Sequence, residues 1–333
     1  MPEPSGGILS PGDLNLEEGA LLIDRHLVPM EPISWPAPFD HPDWLFQPKW
    51  DGVRMLAYVR GREVRLINRR GRERTGQYPE IVEGIRAVFQ GQDAVFDGEI
   101  VVFWEGRPSF PRVMRREAAA PGPPVAVLRL SLPATYMVFD LLHLDGRELI
   151  NLELEARLEL LYEHLVTADP VLLTDSFEQG SSLFAAVEER GWEGIVAKRR
   201  GSPYRFGKSP LWRKIKVRRR QPCVVGGFTV TSHEELGSLL LGVWREEKLL
   251  YVGRAGSSLG RDEREALIRV LAETVQAECP FDPVPRTRGL VVRWVTPLLT
   301  VLVEYSEWTE GLHLRHPVVL GLNPVPVSAC RLP

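Results

Sequence analysis

An α+β domain of mixed and antiparallel sheets, followed by a smaller β-barrel, is the architecture this sequence predicts. The chain has 333 residues, more than the roughly 100–200 of one typical domain. Up to the run Arg218-Arg219-Arg220, strand-like and helix-like stretches follow one another without the regular β-α-β rhythm of a parallel sheet. After Gln221-Pro222 the pattern changes to short strand-like runs around one helix. The division is therefore expected near residue 220, giving domains 1–220 and 221–333, with the Gly- and Pro-rich residues 1–40 as an irregular lead-in.

In chain order, strands are expected at 45–49, 53–59 and 63–68. In the second, Val53, Met55, Ala57 and Val59 alternate with Arg54, Leu56, Tyr58 and Arg60, the period of a half-buried strand fed by the Asp51-Gly52 turn. A helix over about 78–90 starts at Tyr78-Pro79 and gathers Ile81, Val82, Ile85, Val88 and Phe89 on one face. A strand at 94–103, a helix at 108–117, an Ala/Pro/Gly loop to about 124 and a strand at 134–142 come next, with a turn at Asp145-Gly146. Helix 152–168 carries Leu154, Leu158, Leu161 and Leu165 on one stripe; helix 181–190 and strands 192–198 and 211–217 finish the domain. Beyond it, strands at 223–230, 238–245, 248–254, 289–296 and 299–306, with a helix at about 260–278, suit a barrel of the OB type, a common scaffold for nucleic-acid strands.

Hydrophobic residues make up 44% of the chain, ample for two cores. Every apolar run is broken by Pro, Gly or charge before the ~18 residues of a membrane span, and residues 1–10 lack the features of a secretory signal. Cys223, Cys279 and Cys330 form neither a disulfide framework nor a spaced zinc site. A cytoplasmic monomer without a membrane partner is expected. The formal net charge of −3 conceals an uneven distribution. Basic residues cluster at Arg69-Arg70-Arg72-Arg74, at Arg112-Arg115-Arg116, at Lys198-Arg199-Arg200-Arg205-Lys208 and at 213–220, which predicts a positive face suited to phosphate backbones.

The stretch Gln47-Pro48-Lys49-Trp50-Asp51-Gly52-Val53-Arg54 sets one lysine at the mouth of a strand. A lysine held there can act as a nucleophile if its surroundings favour the free amine and bind an electrophile. Three later stretches supply such surroundings. Asp97-Gly98-Glu99 puts two carboxylates on one side of a strand, Tyr136-Met137-Val138-Phe139-Asp140 offers an aromatic for base stacking, and Glu193 opens the strand that ends in Lys198. In Trp212-Arg213-Lys214-Ile215-Lys216 two lysines share a face. Carboxylates can hold a divalent metal on phosphates, while neighbouring cations disfavour an ammonium and neutralise a phosphate under attack.

Together with Asn68-Arg69-Arg70-Gly71, this ordered set resembles the nucleotidyltransferase motifs of ATP-dependent DNA ligases, most of all the bacterial ligases of double-strand-break end joining. The likeness runs over roughly 28–322, continuing through 236–242, 251–254 and 304–321, which resemble the OB domain of that family. It implies an adenylation (nucleotidyltransferase) domain followed by an OB domain. It implies that Lys49 attacks the α-phosphate of ATP to form a lysyl-AMP, which is passed to a 5′-phosphate and displaced by a 3′-hydroxyl. The implied catalytic set is Lys49, Asp51, Arg54, Lys214 and Lys216, with Asp51 near the 3′ end of the strand. The implied nucleotide-binding set is Gln47, Lys49, Arg54, Arg69, Glu99, Phe139, Glu193, Lys198, Lys214 and Lys216. In it Phe139 stacks on adenine, Lys214 and Lys216 hold the α-phosphate, and Arg54 and Arg69 address AMP or the nick phosphate. Glu99 and Glu193 would serve Mg2+ or Mn2+. The implied partners are nicked or broken duplex DNA and a Ku-like end-binding protein, in a nucleoid-associated setting. With no further DNA-binding domain expected before residue 28, two domains or a partner would have to encircle the duplex.

Two positions depart from the family pattern. Gln47 stands where a glutamate usually helps read the adenine amino group; its amide can both accept and donate. The basic motif that commonly ends the OB domain is replaced by Leu320-Gly321-Leu322-Asn323-Pro324-Val325, so slow self-adenylylation, or a substitute cation at Arg315 or Arg331, is expected. The same residues also admit an RNA ligase or capping-type nucleotidyltransferase, or a catalytically idle DNA-end-binding module. A P-loop at 201–209 fails on its spacing and because a strand follows it. His313 and His316 lack a third metal ligand.

Overall fold

A computed structural model describes residue 23 and residues 27–230, 236–257, 260–287, 289, 291–309 and 311–332. Most of the expected lead-in, and positions 290 and 310 within the expected OB stretches, lie outside the described residues. The chain divides into two compact units, Met1–Ile215 and Lys216–Pro333.

The first unit opens with strands β1 (Met30–Ser34), β2 (Trp44–Pro48), β3 (Val53–Arg60) and β4 (Glu63–Asn68). Helix α1 (Pro79–Val88), strand β5 (Asp93–Val101), the small hairpin β6 (Phe103–Trp104) and β7 (Arg107–Pro108), and helices α2 (Phe110–Glu117) and α3 (Pro123–Ser131) follow. Then come β8 (Thr135–Leu144), β9 (Arg147–Glu148), α4 (Leu154–His164), β10 (Val171–Leu173), α5 (Gly180–Glu189), β11 (Gly194–Arg199) and β12 (Gly207–Lys216). Two sheets result, one in the order β1-β12-β11-β2 and one in the order β10-β8-β5-β3-β4 with β9 beside β8.

Strand β3 is buried on both faces, where its alternation predicted a half-buried strand. Met55, Ala57 and Val59 enter a core with Ile81 and Ile85 of α1 and Leu158 and Leu161 of α4. Leu56 and Tyr58 enter a second core with Met30, Phe139, Tyr204 and Trp212, which joins the two sheets. Both faces are needed because the larger sheet is covered by helices on one side and by the smaller sheet on the other.

The expected loop up to about 124 gives way to α3, whose Pro123 and Pro124 occupy the first turn, where a missing N–H leaves nothing unpaired. Helix α4 stops at His164, short of the expected 168. Leu165 instead bridges Phe89, and Val166 N donates to Val88 O at 3.0 Å. The Gly207-Lys208-Ser209 tripeptide lies in strand β12, which disposes of a P-loop.

The second unit contains β13 (Arg219–Val230), β14 (Leu236–Arg245), β15 (Lys248–Ser257), α6 (Arg261–Glu273), β16 (Val275–Gln276), β17 (Val292–Val295), β18 (Thr300–Tyr305) and β19 (Val318–Leu322). Strands β13, β14 and β15 form an antiparallel meander, β15 pairs in parallel with β19, β19 with β18, and β18 returns to β13. This closed ring is the OB topology. Its fifth strand is β19, which the sequence pattern hides between Pro317 and Pro324. The stretch expected as a barrel strand at 289–296 is the short β17, laid beside β13.

Much of the expected positive face is consumed internally. Arg116 is fully buried, paired with Glu80 at 2.6 Å and donating to Gln77 O and Leu132 O. Arg213 lies over Trp35 at 3.8 Å and Trp44 at 4.2 Å. Arg74 pairs with Glu117, Arg200 with Glu155 and Glu178, and Arg218 with Glu304.

A fully buried pair ties β8 to α4: Arg157 Nε and Nη2 donate to Asp140 at 2.8 and 2.9 Å, and Nη1 reaches Leu152 O and Ser202 O. Removing one partner strands the other charge in the core. Asp140→Asn is expected to lower unfolding free energy by about 3–5 kcal/mol, read from urea denaturation midpoints.

Candidate active site

The lysine is presented by strand register. Strand β2 pairs antiparallel with β11, Pro48 facing Ile195, and Lys49 N continues the ladder by donating to Gly194 O at 2.8 Å. The next step along the ladder brings Lys49 Nζ and the Glu193 carboxylate together as an ion pair. Gly52 lets the following turn lie against β5, since a Cβ there would meet Ile100 O at 2.2 Å.

A segment just after β10 clamps this corner from the other side. Thr174 Oγ1 accepts from Trp50 Nε1 at 3.0 Å, Ser176 Oγ accepts from Gln47 Nε2 at 2.9 Å, and Phe177 exchanges backbone hydrogen bonds with Phe46 at 2.8 Å. Sequence reasoning missed Thr174 and Ser176. They come from a stretch that touches β2 only in the folded chain, and no spacing signal marks them.

A cavity of about 200 Å3 opens beside Lys49. Of the predicted residues, Gln47, Lys49, Arg54, Arg69, Glu99, Phe139, Lys198 and Lys214 line it, and Glu193 adjoins through its pair with Lys49. Asp51 follows Lys49 in the same turn but is not among the lining residues, and Lys216 is the first residue of the second unit.

Arg54 is a fixed charge at the inner wall. Its guanidinium grips buried Asp97 through two bonds of 2.5 Å, reaches Met30 O at 3.3 Å and lies over the Phe139 ring at 4.4 Å. Asp97 also accepts from Tyr204 Oη at 2.6 Å. Burial works against the Arg54 charge, but Asp97, Tyr204 and Glu99 together outweigh it and hold the guanidinium protonated. Arg69 pairs with Glu31 at 2.6 Å on the exposed rim.

Burial pushes the Glu99 carboxyl up to about 7, against the pull of Arg54 and Lys49 and with the help of Glu193 and Asp97. Glu99 lines the cavity, and Glu193 adjoins it through its pair with Lys49. Among the described residues no cluster of three or more His, Cys, Asp or Glu is arranged for a metal. Two carboxylates suit a hard cation that completes its shell with phosphate and water. The two candidate substitute cations are engaged locally in the second unit, Arg315 with Glu307 and Arg331 with Ser328 O.

Lys198 is 2% exposed, donates to Phe139 O at 3.0 Å and lies over the rings of Phe139 and Trp212 at 4.5 and 4.2 Å. Burial lowers its pKa to about 7, with Asp140 opposing. The unfolded chain therefore binds a proton that the folded chain releases between about pH 7 and the ordinary lysine range, so this contribution to stability rises with pH across that window. Between about pH 7 and about pH 9 the wild-type chain is expected to gain on the order of 1–3 kcal/mol relative to Lys198→Met, measured by urea unfolding at each pH.

Comparison with known proteins identifies the family. Residues 36–216 match the family model described as "ATP dependent DNA ligase domain", and 232–325 match "ATP dependent DNA ligase C terminal region". The chain is 35% identical over 288 residues to the multifunctional non-homologous end joining DNA repair protein LigD of Mycobacterium tuberculosis strain H37Rv. That match covers 84% of this chain but only 36% of LigD, so the chain spans about a third of the length of this relative. The crystal structure of the M. tuberculosis LigD ligase domain aligns with 92% of this chain and 98% of its own at 32% identity and a TM-score of 0.51. A structure titled mycobacterial DNA ligase D complexed with ATP and MES aligns with the same coverage, identity and TM-score. With a folded nucleotidyltransferase unit, a closed OB barrel and family matches over most of its length, this chain belongs to the ATP-dependent DNA ligase family.

Proposed function

We propose that the chain is a DNA ligase unit that uses ATP to seal breaks bearing a 5′-phosphate and a 3′-hydroxyl, in end-joining repair. The observation that carries this reading is the Lys49–Glu193 pair at the edge of a cavity walled by Arg54, Glu99 and Lys214. On this reading residues 1–220 form the adenylation domain and 221–333 the OB domain.

The amine of Lys49 forms a P–N bond to the α-phosphorus of ATP while the bond to the bridging oxygen breaks and pyrophosphate leaves. Glu193, already bonded to the Lys49 ammonium, takes one proton to free the amine, and the second proton, released as the P–N bond forms, leaves with pyrophosphate. Arg54 and Lys214 supply positive charge to the α-phosphate, and Arg54 does so without reorganising because Asp97 holds it. Phe139 and Val196 offer apolar walls for the base. Mg2+ or Mn2+, held by Glu99 and Glu193 with phosphate oxygens, would neutralise charge on the triphosphate. The stored AMP then moves to the 5′-phosphate of the break, and the 3′-hydroxyl displaces it. Asp51 and Arg69 serve the DNA strand, and Lys216, two residues beyond Lys214 on β12, is assigned to the phosphate with it.

Nicked or broken duplex DNA is the substrate of this scheme, a Ku-like end-binding protein its partner, and a monomer near the nucleoid its working form. Among the described residues no helix is long and apolar enough to cross a membrane. The test is sealing of a labelled nicked DNA duplex with ATP and magnesium, beside a nicked RNA duplex. Wild-type protein is expected to seal the DNA nick, and Lys49→Ala to lose at least about a thousandfold of that rate. Sealing only of the RNA nick, or sealing that survives Lys49→Ala, contradicts the proposal.

A further inference from the structure

Gln47 brings an amide to the cavity, and its chemistry is two-sided: the carbonyl accepts and the NH2 donates. It lies on β2 two residues before Lys49, which continues the ladder just past the strand's end, so the two share a face about 7 Å apart. Val196 is its direct cross-strand neighbour, and Phe139 lines the same cavity. A flat base resting between Phe139 and Val196, with its phosphate at Lys49, presents its edge to the Gln47 amide. Which end of that amide meets the base decides which base is accepted. An oxygen facing inward accepts from an exocyclic amino group, as in adenine, and opposes a ring carbonyl, as in guanine; an NH2 facing inward reverses the preference.

Gln47 is 2% exposed, and its Nε2 donates to Ser176 Oγ at 2.9 Å. The Tyr162 hydroxyl stands 3.5 Å from Ser176 Oγ, a contact in which either hydroxyl can donate; with Ser176 as its donor, an Oγ lone pair stays turned toward Gln47. Ser176 itself is fixed in place by its neighbours, since Thr174 accepts from Trp50 and Phe177 is bridged to Phe46. We infer that Ser176 is a positioning residue that locks the Gln47 amide with its carbonyl toward the nucleotide, and thereby sets the preference for ATP over GTP. The inference rests on the lysyl-nucleotide reading and adds to it the device that selects the base.

The test measures initial rates of Lys49 nucleotidylation with ATP and with GTP in wild type, Ser176→Ala, Gln47→Glu and the double variant. The expected result is that Ser176→Ala narrows the ATP-over-GTP ratio roughly five- to tenfold, the worth of one neutral hydrogen bond, chiefly through faster reaction with GTP. In the Gln47→Glu background both side-chain oxygens are acceptors and orientation is immaterial. There Ser176→Ala is expected to leave the ratio within about twofold. Ser176→Thr, which keeps the hydroxyl, retains the wild-type ratio. An unchanged ratio in Ser176→Ala, an equal loss with both nucleotides, or the same narrowing in the Gln47→Glu background overturns the inference and leaves the ligase reading standing. Absence of any wild-type adduct with ATP overturns that reading, and the inference with it.

Discussion

The antiparallel register of β2 against β11 is the constraint on which the site depends, because it decides what stands opposite Lys49. Pro48 faces Ile195, Lys49 bonds Gly194, and Glu193 receives the ammonium. A slip of one residue would turn Lys49 and Gln47 to the other face of the sheet. The register is held from both sides. Phe46 is bridged to Phe177, Trp50 packs on Trp192 with centroids 5.0 Å apart, and the Thr174 and Ser176 hydroxyls anchor Trp50 and Gln47. The nucleophile is thus mounted on a paired strand end, where rigid elements place a side chain more precisely than a loop does.

Around this corner the protein uses buried charge to hold other charge in place. Asp97, closed off from solvent, binds Arg54 and Tyr204; Tyr204 in turn accepts from Met30 N, linking the larger sheet to β1 of the smaller. Asp140 and Arg157 repeat the arrangement one strand away. Such pairs contribute little net stability against an apolar alternative, yet each fixes a guanidinium or a strand relative to its neighbour. At the cavity this yields a positive wall that needs no rearrangement when phosphate arrives.

The strands and helices of the first unit were legible because their periods are regular, and most of the barrel because β13, β14 and β15 are apolar runs of ten to twelve residues. Elements that escaped did so for local reasons: α3 begins with two prolines, β10 has three residues, and β19 sits between prolines. The order of Lys49, Glu99, Phe139, Glu193 and Lys214 along the chain pointed to the site, and the fold gathers all five. The grip of Asp97 on Arg54 depends on which residues face each other across β3 and β5, and the hold of Ser176 on Gln47 joins positions 129 apart. Neither leaves a mark in the local pattern. Charge clusters misled most, since linear runs of arginine do not reveal that Arg116 and Arg213 are enclosed by Glu80 and by tryptophan rings.

The central claim is that the amine of Lys49 itself takes the nucleotide. The most direct measurement is tandem mass spectrometry of the protein after incubation with ATP and magnesium, digested at alkaline pH to preserve an acid-labile phosphoramidate. The account predicts one AMP on the peptide containing Lys49, with fragment ions placing it on Nζ, and its disappearance on adding pyrophosphate. AMP carried by another residue, or an adduct that survives acid, would contradict it.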